Sequence, residues 1–478
     1  MTAEAKDQRR VEAYELANRY LNEGLIRADA SAALDVLLRS SDASGQRRPN
    51  RKDRMRAFLP RLEHPERSFG AIHVGGTSGK GSIAIMVAEI LAACNERVAL
   101  HVTPYLQVAT EKFWANGRYA SVEEFASLVD WIRPHAEACR ADDVPMHGMA
   151  SVAITLEYFR RQQVRYGVME VGVGGRNDLT NVLQTKVAVI GAVGLDHLKT
   201  LGPTIDDIAW HKAGIIQAGA RAVALEGPGL AAAREQAQEV GAELRVIGCK
   251  DYRAQREKGQ PLRLSFLGRK RKLEELSLGM GGDFQGQNAA LALAAIEELE
   301  IADGLDLDEG AIRRGLRRAR LPGRAELMPP LREDGATVLL DGAHNPDKLA
   351  ALLATVSERR YAELHVVFGG LGSRAPDAAL QRLAQLAKTM VCTEPRVYRK
   401  PPRPAEEIAE LVRGTTRAII ARSPLDAMAI ADEQASPDDL ILVTGSLYLV
   451  GEVRGLWIAP EHVLLERRSF LTSSEAAR

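Results

Sequence analysis

Cysteine is scarce in this chain of 478 residues. Its four copies, Cys94, Cys139, Cys249 and Cys392, lie far apart and lack the paired spacing of a zinc site or a disulfide framework. That scarcity fits a reducing compartment. A surplus of one charge is also missing, since 63 Lys and Arg balance 63 Asp and Glu. With 46% apolar residues, neither a disordered chain nor a coat for a polyanion is expected. Membrane-length apolar runs are absent too: among the most apolar stretches, 83–93 is interrupted by Glu89. Residues 1–10 are charged and have no apolar centre, so they do not read as a signal peptide. The expectation is a cytoplasmic protein with no membrane and no nucleic-acid partner. Two local basic clusters remain, at 47–56 and 269–272. Solvated surface is the expectation for both.

The length allows two or three domains. Residues 11–40 carry a helical stripe through Leu21, Leu25, Ala32, Leu34 and Leu37. Short β-rich runs follow at 72–74, 98–102, 167–171, 187–193, 222–225 and 244–247. They alternate with helical stretches at 80–94, 122–139, 149–162, 204–216 and 228–240. That alternation predicts an α/β fold with a mostly parallel, doubly wound sheet. A hairpin is expected over 261–279, then helices over 286–300 and 307–318. Pro322 and Gly323 punctuate the chain, and a second β/α series begins. Its strands are expected at 337–341, 364–368, 389–393, 417–421 and 440–444. The domain boundary is placed near residue 325, dividing the chain into 1–325 and 326–478. The last few residues read as frayed.

Residues 73–82 read His-Val-Gly-Gly-Thr-Ser-Gly-Lys-Gly-Ser, between an expected strand and an expected helix. Gly76, Gly79 and Gly81 let the backbone turn tightly and aim several N–H groups at one spot. Lys80 and the positive end of the following helix suit that spot to a polyphosphate. Ser82 is placed to reach a nucleotide's magnesium ion. The spacing differs from the common P-loop, because a glycine separates lysine from hydroxyl. A glycine-rich bend without a ligand is the alternative; ATP binding is the expectation.

Other chemistry-bearing residues fall at strand ends, where open α/β sheets gather ligands. Glu170, Arg176 and Asp178 sit in a glycine-rich loop and read either as site residues or as a turn with an ion pair. His197 ends another strand and shares the rim with Ser82, so the two together suit Mg²⁺. Lys212 reads from the sequence as an ordinary solvated helix residue. In the second half, Asp341, His344 and Asn345 precede Pro346, which is fit to open a helix. Arg324 would reach nucleotide phosphates or form a structural ion pair. Two such rims facing each other across a hinge would make a nucleotide cleft.

Taken together these residues resemble the folylpolyglutamate synthase/dihydrofolate synthase family of the Mur ligase superfamily. The resemblance runs from Ile72 to Arg454. It rests on the phosphate loop, on Glu170 to Asp178 with Thr180 and Asn181, and on 194–197 and 212–216. It continues through 285–288, 322–324, 341–346 and 444–448, and the order of the motifs carries the weight. It implies a Mur-ligase-like fold: a P-loop-type central ATPase domain and a smaller Rossmann-like C-terminal domain on the amino-acid side of the cleft. The implied reaction adds L-glutamate to a pteroate or folate carboxylate through an acyl phosphate, in a monomer. Gly76, Thr77, Ser78, Gly79, Lys80, Gly81 and Ser82 would then bind ATP, with Asn288, Arg324 and Asp341. Ser82 and His197 would hold magnesium, of which two ions are implied. Lys212 matches a lysine carbamylated by CO₂, near the second ion. Lys80, Lys212, His197 and His344 would be catalytic, with His344 and Ser446 near the incoming amino acid.

The chain departs from the family in several places. Ser78 stands where the family commonly has Asn, and Thr103-Pro104-Tyr105 where it has Ser-Pro-His. Residues 373–377 replace its Asp-Lys-Asp, and the N-terminal region is longer than the family's. A gap-free count back from Tyr158 puts the family's magnesium-binding glutamate on Met149, a poor ligand for a hard cation. His147 or a water would then have to compensate. The rival expectations are a Mur-type ligase for another acid and amine, and a nucleotide-binding paralogue that does not ligate.

Overall fold

The computed structural model describes residues 3–25, 50–138, 147–256, 262–372, 377–397, 401–472 and 475. Ala32, Leu34, Leu37, Cys139, residues 47–49, 373–376 and most of the C-terminal end lie outside them. The N-terminal stripe that is described runs along the helix Ala3–Arg19 and its extension Tyr20–Gly24, with Leu21 and Leu25 buried.

The first unit is an eight-stranded sheet. Its strands are β1 (Gly70–Gly75), β2 (Val98–His101), β3 (Trp114–Ala115), β4 (Arg118–Tyr119), β5 (Tyr166–Glu170), β6 (Thr185–Ile190), β7 (Arg221–Leu225) and β8 (Glu243–Ile247). Their spatial order is β4-β3-β2-β5-β1-β6-β7-β8, and all neighbours from β2 to β8 run parallel. The chain crosses to both sides of β1, so the carboxyl ends of β1, β5 and β6 border one crevice. The central strands β1, β2 and β5 are buried almost throughout, as a sheet covered on both faces demands.

The helix Lys80–Ala93 is apolar nearly all round and correspondingly buried. The helices Phe284–Asp303 and Glu309–Arg318 pack on it. Gly315 permits the second contact, since a Cβ there would collide with the backbone of Ile90.

A small antiparallel sheet joins β9 (Tyr252–Gln255), β10 (Arg263–Leu267) and β11 (Lys272–Ser277). The last sheet holds β12 (Glu326–Met328), β13 (Thr337–Leu340), β14 (Leu364–Phe368), β15 (Thr389–Cys392), β16 (Arg417–Ile420) and β17 (Leu440–Thr444). Its order is β12-β13-β17-β14-β15-β16, parallel except for β12. The long alternating elements match the sequence expectation closely. The strands β3, β4, β9 and β12 were not expected, because two to four residues are too few to show a period.

The basic clusters meet the sequence reading only in part. Residues 269–272 sit at the hairpin tip with Arg269, Lys270 and Lys272 exposed, but Arg269 also reaches the buried Glu298 and Lys270 and Arg271 the buried Glu300 of the helix Phe284–Asp303. Glu297 accepts from the backbone N–H groups of Arg269, Lys270 and Arg271 at 2.8, 3.2 and 3.2 Å, and from Arg245 at 2.7 Å. Glu298 receives Arg221 at 2.6 Å and Glu300 receives Arg271 at 2.6 Å. In the first cluster Arg54 is buried and Arg51 is only partly exposed. Glu297, Glu298 and Glu300 are all buried on this helix, and the basic tip helps to compensate them. Glu297→Ala takes the 2.7 Å carboxylate from buried Arg245, leaving it only Glu298 at 3.8 Å, and strands the N–H groups of the tip, so it should cost about 3 kcal/mol. A urea midpoint equal to wild type would contradict this.

Candidate functional site

The phosphate loop follows β1, and Gly79 caps the helix Lys80–Ala93 at φ +80°. A Cβ at Gly79 would both strain that turn and run into the Asn288 side-chain oxygen. Thr77 ties the loop to the strand next door: its N–H donates to the Ala192 carbonyl at 2.7 Å and its hydroxyl to the Gly194 carbonyl at 2.9 Å. Gln285 Nε2 donates to Ser82 Oγ at 3.3 Å, and Asn288 Nδ2 donates to Gln285 Oε1 at 2.9 Å. The Ser78 hydroxyl is buried and has no hydrogen-bond partner among the described residues.

The loop opens on a cleft of about 880 Å³ between the two parallel sheets. The structure brings Thr77, Ser78, Gly79, Lys80, Gly81, Ser82, His197, Asn288 and, at the hinge, Arg324 to its walls from the first unit, and Asp341, His344 and Ser446 from the second. Gly76 and Lys212 stand behind the wall, where Lys212 Nζ donates to the Gly76 carbonyl at 2.7 Å. Lys212 is thus no solvated residue, as its helical position suggested, but is 3% exposed. Burial, reinforced by the charge of Lys80, lowers its pKa to about 7.

Glu170, at the carboxyl end of β5, is a buried carboxylate on the cleft wall. Its Oε2 accepts from the Thr103 N–H at 2.9 Å. Burial raises its pKa above the usual range, while Lys80 and Arg324 pull against that rise. Asp341 is raised for the same reason, again opposed by Arg324. Asp341 also accepts from the N–H groups of Ala325 and Ala343, each at 2.8 Å. Lys348 Nζ donates to His344 Nε2 at 3.2 Å. Asn345 caps the helix Pro346–Ser357, which Pro346 opens as expected.

Two family models match this chain: the Mur ligase middle domain over residues 74–296, and the Mur ligase glutamate ligase domain over 323–447. A dihydrofolate synthase/folylpolyglutamate synthase of Bacillus subtilis is 31% identical over 414 residues, 84% of this chain and 93% of that protein. The chain belongs to the folylpolyglutamate synthase/dihydrofolate synthase family of the Mur ligases. It is an ATP-dependent ligase acting on small molecules. Among solved structures, Mycobacterium tuberculosis folylpolyglutamate synthase complexed with ADP superposes with a TM-score of 0.77 at 28% identity. That match covers 89% of this chain and 97% of the other. E. coli FolC in complex with DHPP and ADP gives 0.73 at 26% identity, covering 89% and 97%.

Against this family frame, the count that put a magnesium-binding glutamate on Met149 fails. Met149 lies in the first turn of the helix His147–Arg161, inside the hydrophobic core. His147 is turned towards the Leu21 carbonyl at 3.1 Å. The carboxylate on the cleft wall is Glu170, so the chain does not lack one. Of the other residues in that loop, Asp178 organises the turn by accepting from Val173 and Thr180 N–H groups, each at 3.0 Å. Arg176 lies over the Trp210 ring, 4.0 Å from its centre. Arg51 was missed as a cleft residue; it reaches the wall from the N-terminal helix Arg51–Phe58. Its sequence neighbourhood signals only surface charge.

Gly79→Ala should weaken binding of an ATP analogue by about tenfold or more, because the turn cannot keep its shape. Equilibrium titration of the purified variant checks this, with unchanged affinity as the contrary result.

Proposed function

We propose that this protein joins L-glutamate to the carboxylate of a pteroate or folate, with ATP converted to ADP and phosphate. One observation carries the reading. Lys80, Ser82, Glu170, His197 and the hinge residue Arg324 share a single cleft with Asp341 and His344 of the other unit. A phosphate cradle therefore faces a second rim on which an acid and an amine can meet.

In this reading the acceptor carboxylate attacks the γ-phosphorus, the β–γ bridging oxygen leaves with ADP, and an acyl phosphate results. The glutamate amine then attacks the acyl carbon, loses a proton and expels phosphate. Lys80 and the loop N–H groups hold the phosphates in line and offset their charge. Arg324 and Asp341 position the nucleotide from the hinge side, and Asn288 holds the phosphate-loop turn. His344, with Lys348 beside it, and Ser446 border the place of the incoming amine. Closure of the two units excludes water; without it ATP would be hydrolysed unproductively.

Ser82, Glu170 and His197 form a donor set suited to Mg²⁺: a hydroxyl, a carboxylate destabilised by burial, and an imidazole. Among the described residues no group of three or more His, Cys, Asp and Glu could hold a metal alone. Phosphate oxygens and waters would complete the shell. When bound, the ion would neutralise charge on the transferring phosphoryl group. Lys212 fits carbamylation, because a buried amine with a pKa of about 7 is largely neutral at slightly alkaline pH. Its nitrogen adds to CO₂ and releases a proton, leaving an anion behind the loop that suits a second cation.

The division near residue 325 belongs to the same reading, with nucleotide on 1–325 and amino acid on 326–478. Support comes from β12, which opens the second sheet at Glu326. A monomer suffices, since one chain supplies both rims. A cytoplasmic setting is supported by Cys94, Cys249 and Cys392, which are all unpaired. No helix of the described residues is long and apolar enough to cross a membrane.

Phosphate release from Mg-ATP should require both L-glutamate and either dihydropteroate or tetrahydrofolate, with the glutamyl product seen by mass spectrometry. Release that ignores both partners would refute the assignment. Lys80→Ala should lower kcat/KM by about a hundredfold or more. Protein freed of CO₂ should regain activity on adding bicarbonate, faster at pH 8 than at pH 6, because protonated Lys212 is inert. A ¹³C carbamate signal that survives Lys212→Gln would exclude this lysine.

A further inference from the structure

His73 stands in β1, the strand that feeds the phosphate loop, and is fully buried between Ile72 and Val74. Its Nε2 lies 2.8 Å from the Thr180 hydroxyl. That hydroxyl donates its only hydrogen to Asp178 Oδ1 at 2.7 Å, so towards the imidazole it can only accept. Nε2 therefore carries the ring's proton. Nδ1 is left as a bare, buried acceptor with no hydrogen-bond partner among the described residues. Burial lowers the pKa of the ring and so keeps it neutral. A strand that only needed filling would be better served by valine or leucine, because an unpartnered ring nitrogen costs free energy on burial.

We propose that His73 is a positioning residue for cation binding: through Thr180 and Asp178 it fixes the loop that links Glu170 to the helix of Lys212. The inference rests on the ligase reading above, which gives both of those residues to divalent cations. Asp178 sets the shape of the loop. Its Oδ2 accepts from the Val173 N–H and its Oδ1 from the Thr180 N–H, each at 3.0 Å. Between these points the loop lies against the helix Ile205–Ala213. The Arg176 N–H donates to the His211 carbonyl at 2.6 Å, and a Cβ on Gly175 would meet the His211 and Lys212 carbonyl oxygens at 2.7 and 3.0 Å. Asn181 Nδ2 donates to the Gly214 carbonyl at 2.9 Å. Strand β1 thus holds the loop at both ends. At the near end the Val171 N–H donates to the Val74 carbonyl at 2.9 Å, and at the far end the His73 side chain takes that part.

The donors run one way, from His73 to Thr180 to Asp178, and end on a carboxylate that is 2% exposed. Such a buried chain is stiff when every member is bonded. Without the imidazole N–H, Thr180 and Asp178 stay bonded to each other but no longer to β1, so the far end of the loop can shift while its turn persists. Glu170 at the near end and the Lys212 helix under the middle then lose their common reference. The phosphate loop does not depend on this chain, because Thr77, Gln285 and Asn288 brace it from other elements. The nucleotide phosphates should keep their cradle while the cation loses part of its own.

The test is calorimetric titration of the purified protein with a non-hydrolysable ATP analogue, with and without Mg²⁺. Wild type should bind the Mg²⁺ complex more tightly than the metal-free analogue. His73→Leu and Thr180→Val should each reduce that gain about tenfold, with the metal-free affinity kept within about twofold. The double variant should lose no more than either single change, since both cut the same tie. His73→Gln, whose Nε2–H can still reach Thr180, should keep most of the gain. Metal-free affinity falling in step with the Mg²⁺ affinity would mean general damage to the cleft and overturn the proposal. An undiminished gain in both single variants, additive losses in the double variant, or no gain in wild type would overturn it as well. Thr180→Val is nearly isosteric and decides the matter should His73→Leu not fold. Wild type that shows the gain but forms no glutamyl product would refute the ligase reading alone.

Discussion

A loop that must offer N–H groups to phosphate can spend only a few of them on holding itself in place. Most features of this cleft follow from that constraint. The phosphate loop gives the N–H groups of Thr77 and Ser78 to the Ala192 carbonyl and is otherwise held through side chains and a carbonyl. Thr77 joins it to Ala192 and Gly194, the Gly76 carbonyl receives Lys212, and Gly79 turns against Asn288. Each anchor comes from a different element, so the loop is shaped only when β6, the helix Ile205–Ala213 and the helix Phe284–Asp303 are packed around it. The central helix Lys80–Ala93 can then be almost wholly apolar, because its polar end alone faces the ligand.

The charges around the loop are arranged under the same restriction. Glu170 and Asp341 stand on opposite rims, both raised by burial and both drawn down by Arg324. Arg324 therefore interacts with each rim and lies where the two units meet. Lys212 is buried near Lys80, and the cost is relieved by loss of its proton. A nucleotide with a divalent cation brings both signs of charge into such a cleft, which suits a site that already holds both.

The end of the chain contributes more than an appendage would. Arg454 is fully buried and pairs with Glu326 at 2.8 Å, while donating to Gln107 at 2.6 Å and to the Ser469 carbonyl. Ser469 in turn donates to Glu111 at 2.7 Å, whose other oxygen accepts three backbone N–H groups at Leu106, Gln107 and Val108. These contacts join the segment after β17 to the loop after β2.

The sequence by itself determined the alternation of strands and helices, the place and chemistry of the phosphate loop, and the strand-end motifs. Those signals are local: hydrophobic period, glycine where the backbone turns sharply, a hydroxyl or proline at a helix start. What the tertiary structure decided is the electrostatic meaning of charged residues. Glu170 rather than residue 149 presents the carboxylate, because helix packing buries Met149 in the core while β5 ends at the crevice. Lys212 became a neutralisable amine, and the tip at 269–271 became the partner of buried glutamates, since those surroundings come from residues 26 or more positions away. Burial and Coulomb energy depend on neighbours in space, and a linear pattern of charges carries no record of them.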